Sequence, residues 1–408
     1  MKKISLLLIT CFFCLPFFVY AYDDSVENDP VEEEPALREL RGPDMIFEIG
    51  LNAEFGFANN VITIDRFFKK TLILNLDEFA DGLTGNLGFE VSPVYFKYDS
   101  KKGWGLGLFT GFDVLGIFDL SGDMLSLRMI EYDKSYLSGA VFRFAGIDTF
   151  FHIQKFKVKF RPVMYYALTY IKSDISYTYN NTDQETQFFI DLGLQIFTPY
   201  PPDSSKLTAL PGVDFSVAIE YPLSKETGIS EKFQILDFDV GIDFVNVPIV
   251  FSTMKNYVKM NAVLGSKEPV SAENLISSFG TGETSSVYGE SDEKVYRPFK
   301  AFFWADWRLF PGNILLSIIP TVGFSVSQFY IEPVALEAGL KVRFGFVNRH
   351  IFFTLGTGYY DRLWKNSLDI ALNFRRIGFN IGADLRAREF AKSWSTGFGL
   401  KAGFRFNW

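Results

Sequence analysis

Charged side chains recur at every second position in two stretches of this sequence, a spacing that can build an electrostatic site. Lys157, Lys159 and Arg161, with Lys155 just before them, put cations on one face of an extended strand. Asp237, Asp239 and Asp243 put carboxylates on one face of another. Lys341, Arg343, Arg375, Arg376, Arg386, Lys401 and Arg405 continue the basic set towards the C-terminus. If the intervening apolar residues face lipid, these charges face an enclosed lumen. A basic ladder opposite an acidic one sets up a transverse field that selects weakly among small solutes. The plain alternative is a polar interior whose charges pair across neighbouring strands.

Other chemistries find no support in the residues. A nucleophile–histidine pair requires histidine, and only His152 and His350 exist, neither with a serine or aspartate partner close in sequence. Cys11 and Cys14 form a C-x-x-C, but both sit in an apolar N-terminal run and read as part of a discarded leader. Lipid attachment at Cys11 is the other reading of that run. Gly103-Trp104-Gly105-Leu106-Gly107 and Gly397-Phe398-Gly399 lie within strands and precede no helix, so they are not phosphate loops. No His-Glu-x-x-His or paired-cysteine metal arrangement follows residue 21. No catalytic residue, metal or cofactor is assigned, and the expectation is a protein that is not an enzyme. A net charge of −8 argues against nucleic acid as a partner.

The elements that carry these residues are long strands. From Trp394 to Trp408 every even position is apolar or neutral and every odd one small or polar. This period of two over 15 residues exceeds the roughly 9–11 that a tilted strand needs to cross a bilayer. Soluble strands average about 5–6 residues. The aromatic ending, Phe404, Phe406 and Trp408, resembles the closing strand of Gram-negative (diderm) outer-membrane β-barrels. In that superfamily such an ending is the signal read by the barrel-assembly machinery, so the resemblance implies that machinery and outer-membrane lipid as partners.

The rest of the chain fits the same architecture. Residues 1–21 read as a signal peptide cleaved near Ala21, and the acid- and proline-rich 22–44 as a solvated periplasmic tail. Residues 45–408 read as one all-β, antiparallel transmembrane barrel of about sixteen strands, with fourteen to eighteen admissible. Phe accounts for 46 residues and Gly for 33, yet mean hydropathy is only +0.10, because each strand dilutes its lipid face by half. Loop parity places Val245–Pro248, Phe310–Asn313, Val347–His350 and Phe374–Ile377 at the periplasmic end. It places Pro222–Lys232, Asp361–Asn366 and Arg386–Ser393 outside, with 265–296 the longest outer loop. Thr198–Pro211 comes out as an unusually long inner turn. Pro162 and Pro320 fall mid-strand, where bulges are expected to accommodate them. Residues 61–83 break period two and read as a small helical plug, or else as a surface loop.

This plan supports passive or facilitated passage of small solutes. The chain also resembles the long-chain fatty-acid transporters in length and in carrying a plug, although theirs is N-terminal and this one follows the first strand. Hydrophobic cargo requires an apolar lumen pocket, for which Phe189, Val245, Phe352 and Tyr360 on wet faces are the candidates. The alternative function is a surface-exposed structural or adhesive protein whose barrel is an anchor. Oligomeric state is not legible.

Overall fold

Period two governs almost every described segment, so the described residues fold as strands with little helix. The computed structural model describes residues 47–67, 82–99, 104–122, 133–153, 156–182, 185–201, 207–223, 235–266, 284–309, 314–347, 350–374, 376–394 and 396–407. The expected leader, Cys11, the acidic tail, Arg375 and Trp408 lie outside the described residues.

The first strands are β1 (Phe47–Asn59), β2 (Leu83–Asp99), β3 (Gly105–Leu120), β4 (Asp133–Ile153), β5 (Phe156–Thr182) and β6 (Glu185–Thr198). Next come β7 (Gly212–Pro222), β8 (Ile235–Val250), β9 (Ser252–Ser266), β10 (Thr284–Val295), β11 (Phe299–Leu309) and β12 (Leu315–Val326). The last are β13 (Val334–Phe346), β14 (Ile351–Tyr360), β15 (Leu363–Asn373), β16 (Ile377–Ala387) and β17 (Gly397–Asn407). All pair antiparallel, and β1 pairs with both β2 and β17, so the sheet closes on itself. The closed circuit runs through β1 to β5, β7, β8 and β11 to β17, which is fourteen strands. The expected sixteen is corrected accordingly.

The difference has a local cause. Three wall positions are each split in two: β6 leads down into β7, β8 up into β9, and β10 down into β11. β8 runs straight through the expected turn at Val245–Pro248. There Asn246 takes a φ of 54°, and its N–H donates to Ser216 Oγ at 3.1 Å. The extra residue is a bulge in the β7–β8 ladder and not a chain reversal. Of the expected outer loop 265–296, residues 265–266 end β9 and 284–295 form β10, while 267–283 lie outside the described residues.

These splits reverse the parity in the middle of the chain. The connections 310–314, 347–350 and 374–376 lie at the end where β1 starts and β17 stops, as expected of periplasmic turns. The β7–β8 connection, which includes Pro222–Lys232, lies at this same inner end and not outside. Thr198–Pro211 is no inner turn; it interrupts the wall on its outer half, where β5 passes from its partner β7 to its partner β6. Leu168 is the bulged residue at that handover, since Val141 pairs with Thr169 while Phe142 pairs with Ala167. Pro162 and Pro320 need no bulge: the pairs Pro162–Phe215 and Pro320–Leu340 keep their register. Ladder pairing skips a step beside each proline and resumes unshifted, as a missing N–H donor dictates.

One face of the wall is apolar and exposed, with Leu108, Phe160, Met164, Ile381, Leu400 and Phe404 among its residues. This is the lipid face that period two requires. Of the expected plug, 61–67 and 82–83 are described. They sit at the outer end of β1 and β2 and include one helical turn, α1 (Ile64–Phe67). Asn60 pins both stems, donating to Gly82 O at 2.9 Å and accepting from the Thr84 N–H at 2.8 Å. Residues 68–81 lie outside the described residues, and the plug is not shown.

Candidate functional site

The lumen face divides into a polar inner half and an apolar belt. In the inner half, Lys157 reaches Glu220 at 3.7 Å, and Arg161 pairs with Asp148 at 3.2 Å while covering the Phe109 ring at 4.9 Å. Lys159 lies level with Ala218 and Asp243 in the ladders, within electrostatic reach of Glu220 and Asp243. Asp239 accepts from Arg308 Nη2 at 3.1 Å, and Asp306 from Arg308 Nε at 3.0 Å. Ser317 donates to Asp306 as well. Asp237 stands opposite Arg308 in the β8–β11 ladder, and its side chain lies outside the described residues.

The two ladders expected to face each other across an open lumen therefore sit on one sector of wall. Only β7 separates them, and Lys159, Ala218 and Asp243 lie level across β5, β7 and β8. Opposite charges this close compensate locally, so the expected transverse field collapses into paired charges. Farther round, Lys341 lies level with Ile319 and Gly356, and Arg343 with Ser317 and Thr354. Lys401 lies level with Glu54 and Gly382. Arg405 donates to Asn373 Oδ1 at 2.8 Å and lies 3.8 Å from Glu48. Phe404 and Phe406 of the expected assembly signal point outward, both more than 40% exposed. His350 binds the Asn373 carbonyl through Nδ1 at 2.7 Å at the inner end, a structural tie between turns.

A cavity of about 190 Å³ opens in this polar half. Its wall includes Glu48, Asn52, Glu90, Lys97, Asn380 and Arg405, and Arg297 reaches it from the β10–β11 corner. The Arg297 guanidinium lies 3.8 Å from Asp113 and 3.5 Å from Asp214, and its other side covers the Phe144 ring at 4.6 Å. It marks the boundary between the two halves.

Outward of that boundary lies a cluster of apolar side chains, with the buried charges Lys300, Asp361 and Arg386 beyond it. Leu115, Ile117, Phe142, Phe144, Val163 and Tyr165 project inward from β3, β4 and β5, and Tyr170, Phe197, Met254, Val295, Phe302 and Tyr360 join them. Phe142 and Tyr165 are fully buried, with rings 5.8 Å apart and edge to face. The Tyr360 ring lies across Gly339 and Gly358, where any Cβ would collide with it. Val245 and Phe352 are buried too, so three of the four apolar wet-face residues read from sequence face inward and are enclosed. The side chain of the fourth, Phe189, lies outside the described residues.

The residue that completes the belt escaped the sequence reading. The β12–β13 connection at the outer end folds inward and puts Phe329 among these rings, 1% exposed. Phe329 meets Phe142 at 6.3 Å and Tyr170 at 5.9 Å, edge to face in both cases. The loop closes at its neck, where the Ser327 N–H donates to Pro333 O at 2.8 Å. Tyr330 donates through Oη to Asp361 O at 3.1 Å and accepts from Asn86 Nδ2 at 3.0 Å. Burial, and the Asp361 carboxylate beside it, hold the Tyr330 hydroxyl well above the usual tyrosine range, so it stays a donor.

A closed antiparallel circuit with an apolar outer face and a filled lumen decides the architecture. The chain is a closed antiparallel β-barrel of fourteen strands with an apolar outer face. No protein-family model and no curated protein matches its sequence. Among solved structures it is similar to the Pseudomonas putida toluene transporter TodX, at 9% identity over 92% of each chain with a TM-score of 0.48. A Pseudomonas aeruginosa FadL homologue matches at 8% identity over 90% of each chain, TM-score 0.43. The translocator domain of the autotransporter NalP from Neisseria meningitidis matches at 6% identity over 96% of this chain and 99% of that one, TM-score 0.36. At such low identity the architecture here rests on the strand pairing itself.

Proposed function

We propose that the barrel passes small apolar or amphipathic solutes through its lumen, and that the apolar belt is the segment they cross. The observation that carries this reading is the belt itself. Barrels that pass hydrated solutes have a polar, water-filled interior. Here Phe142, Tyr165, Phe302, Phe329 and Tyr360 pack into one cluster in the passage, with paired charges inward of it at Arg297–Asp214 and outward of it at Lys300–Asp361. An apolar solute replaces ring–ring contacts with equivalent ones there, whereas an ion loses its hydration without a partner. The resident charges of the polar half compensate one another and leave that half permissive. On this reading residues 1–21 export the chain, and the Phe404, Phe406, Trp408 ending is offered to the assembly machinery.

The test uses cells that carry the chain in their outer membrane and the apolar dye N-phenyl-1-naphthylamine, which lipopolysaccharide holds out. Expression should speed the fluorescence rise several-fold over cells with an empty vector. An unchanged rise, with folded protein in the membrane, sinks the proposal. A second reading, surface attachment with the barrel as anchor, is favoured by one observation: β9 and β10 carry solvent-exposed residues such as Lys255, Tyr288 and Glu290 beyond the lipid face. Binding of cells to a host or abiotic surface, lost on trimming residues 267–283, would support it.

A further inference from the structure

We propose that the β12–β13 loop, residues 327–333, is a hinged gate on the lumen and that the β14–β15 turn, Asp361-Arg362, is its fixed latch. The inference rests on the passage reading above and adds which parts move and which hold.

The latch is built to stay put. Asp361 and Arg362 both adopt left-handed backbone, with φ of 52° and 63°, as a tight two-residue hairpin turn requires. Asp361 binds Lys300 of β11 at 2.7 Å and Lys365 of β15 at 3.3 Å through its two carboxylate oxygens. Its N–H donates to Glu337 Oε1 of β13 at 3.2 Å. Three wall strands thus hold one turn, and all these partners are buried or nearly so. Buried ties to three separate strands hold the turn in one geometry.

The loop is held quite differently. Its neck is the single Ser327–Pro333 backbone bond, a hinge about which the five intervening residues can swing together. Beyond the neck its ties are the Phe329 ring in the belt, a hydrogen bond between the Ile331 backbone and Tyr136 of β4, and the clasp on Tyr330. That clasp comprises the Asp361 carbonyl, Asn86 Nδ2 and the Arg362 guanidinium, 4.3 Å above the Tyr330 ring. Arg362 Nη2 also donates to Val334 O at 3.2 Å, just past the hinge. Ile331, Glu332 and Pro333 are exposed, so nothing covers the loop from outside in the described residues. Swinging it outward breaks the clasp, withdraws Phe329 and leaves the Asp361 network intact. Tyr330 and Arg362 are therefore positioning residues: they set how often Phe329 leaves, not what the opened lumen conducts.

The test is single-channel recording of the full refolded chain in planar bilayers, beside Tyr330→Phe, Arg362→Ala and Phe329→Gly, each shown to be a folded, heat-modifiable barrel. Losing both hydroxyl hydrogen bonds should raise the open fraction roughly five- to a hundredfold in Tyr330→Phe. Arg362→Ala should do the same, with unit conductance unchanged in both. Phe329→Gly should abolish long closures. If Phe329→Gly opens while Tyr330→Phe and Arg362→Ala match the unaltered chain, the latch is overturned and the passage survives. If all four stay silent, passage and gate fall together. A steady large conductance in the unaltered chain overturns the gate and the closed belt together and leaves an open pore.

Discussion

The Tyr330 hydroxyl donates a hydrogen bond to the carbonyl of Asp361 at 3.1 Å, and through that bond an outer loop is tied to a turn that the barrel wall grips from three strands. Phe329, the residue before it, thereby stays seated between Phe142 and Tyr170. Sealing and latching are neighbouring residues with separate partners, and this separation makes the following outcomes distinguishable.

Arg297 should matter more for stability than its single charge suggests. It is buried between Asp113 and Asp214, so Arg297→Met leaves two enclosed carboxylates facing each other. Removing one partner of a buried ion pair costs about 3–5 kcal/mol. The heat-induced gel shift should move to markedly lower temperature. Adding Asp113→Asn and Asp214→Asn to that variant should restore most of the loss.

Ser252 repairs the break in the wall. The Ala167 N–H donates to its Oγ at 3.1 Å, and its hydroxyl donates to Leu210 O at 3.0 Å. It does this where the β5–β7 ladder has stopped and the β5–β6 ladder has not begun. Ser252→Ala leaves a buried amide without a partner, at about 1–3 kcal/mol. Hydrogen exchange at Ala167 should accelerate by one to two orders of magnitude while β13 to β16 stay protected; uniform acceleration would contradict the assignment.

The inner charges should be poor selectors. Because Lys159 and Asp243 share one wall sector, Lys159→Met combined with Asp243→Asn removes one charge of each sign. In an opened Phe329→Gly background, the reversal potential under a salt gradient should shift by only a few millivolts. A large swing toward anion or cation preference would restore the facing-ladder picture.

The aromatic ending gives a cellular outcome. Deleting Trp408, or replacing Phe406 with Ser, should lower the amount of folded barrel in the outer membrane several-fold without changing synthesis. Normal assembly of both variants would remove the ending as a signal.

The lipid wall was legible because period two fixes which face each residue takes. The turns read at Phe310–Asn313, Val347–His350 and Phe374–Ile377 fall between consecutive strands, and the period-two run Trp394–Trp408 spans β17. Legibility failed where a local irregularity preserves the pattern but changes the connection. Asn246-Val247-Pro248 looks like a turn, yet one left-handed residue and a serine hydroxyl make it a bulge within β8. That single misreading flipped the parity of Pro222–Lys232. The apolar belt left a signal that alternation does not weigh. Val114-Leu115, Val141-Phe142 and Met164-Tyr165-Tyr166-Ala167 are apolar on both faces, as strands covered on both sides are. Phe329 left none: Ser327-Gln328-Phe329-Tyr330 reads as any short outer loop, and only its distant partners on β4, β5 and the β14–β15 turn give it a role.

The most direct test of the central claim is planar-bilayer conductance of the intact refolded chain beside Phe329→Gly. The account predicts a largely quiet intact barrel, broken by brief openings, and sustained conductance once the ring is gone. Equal, steady conductance from both would show that the belt does not close the lumen and would contradict the account at its base.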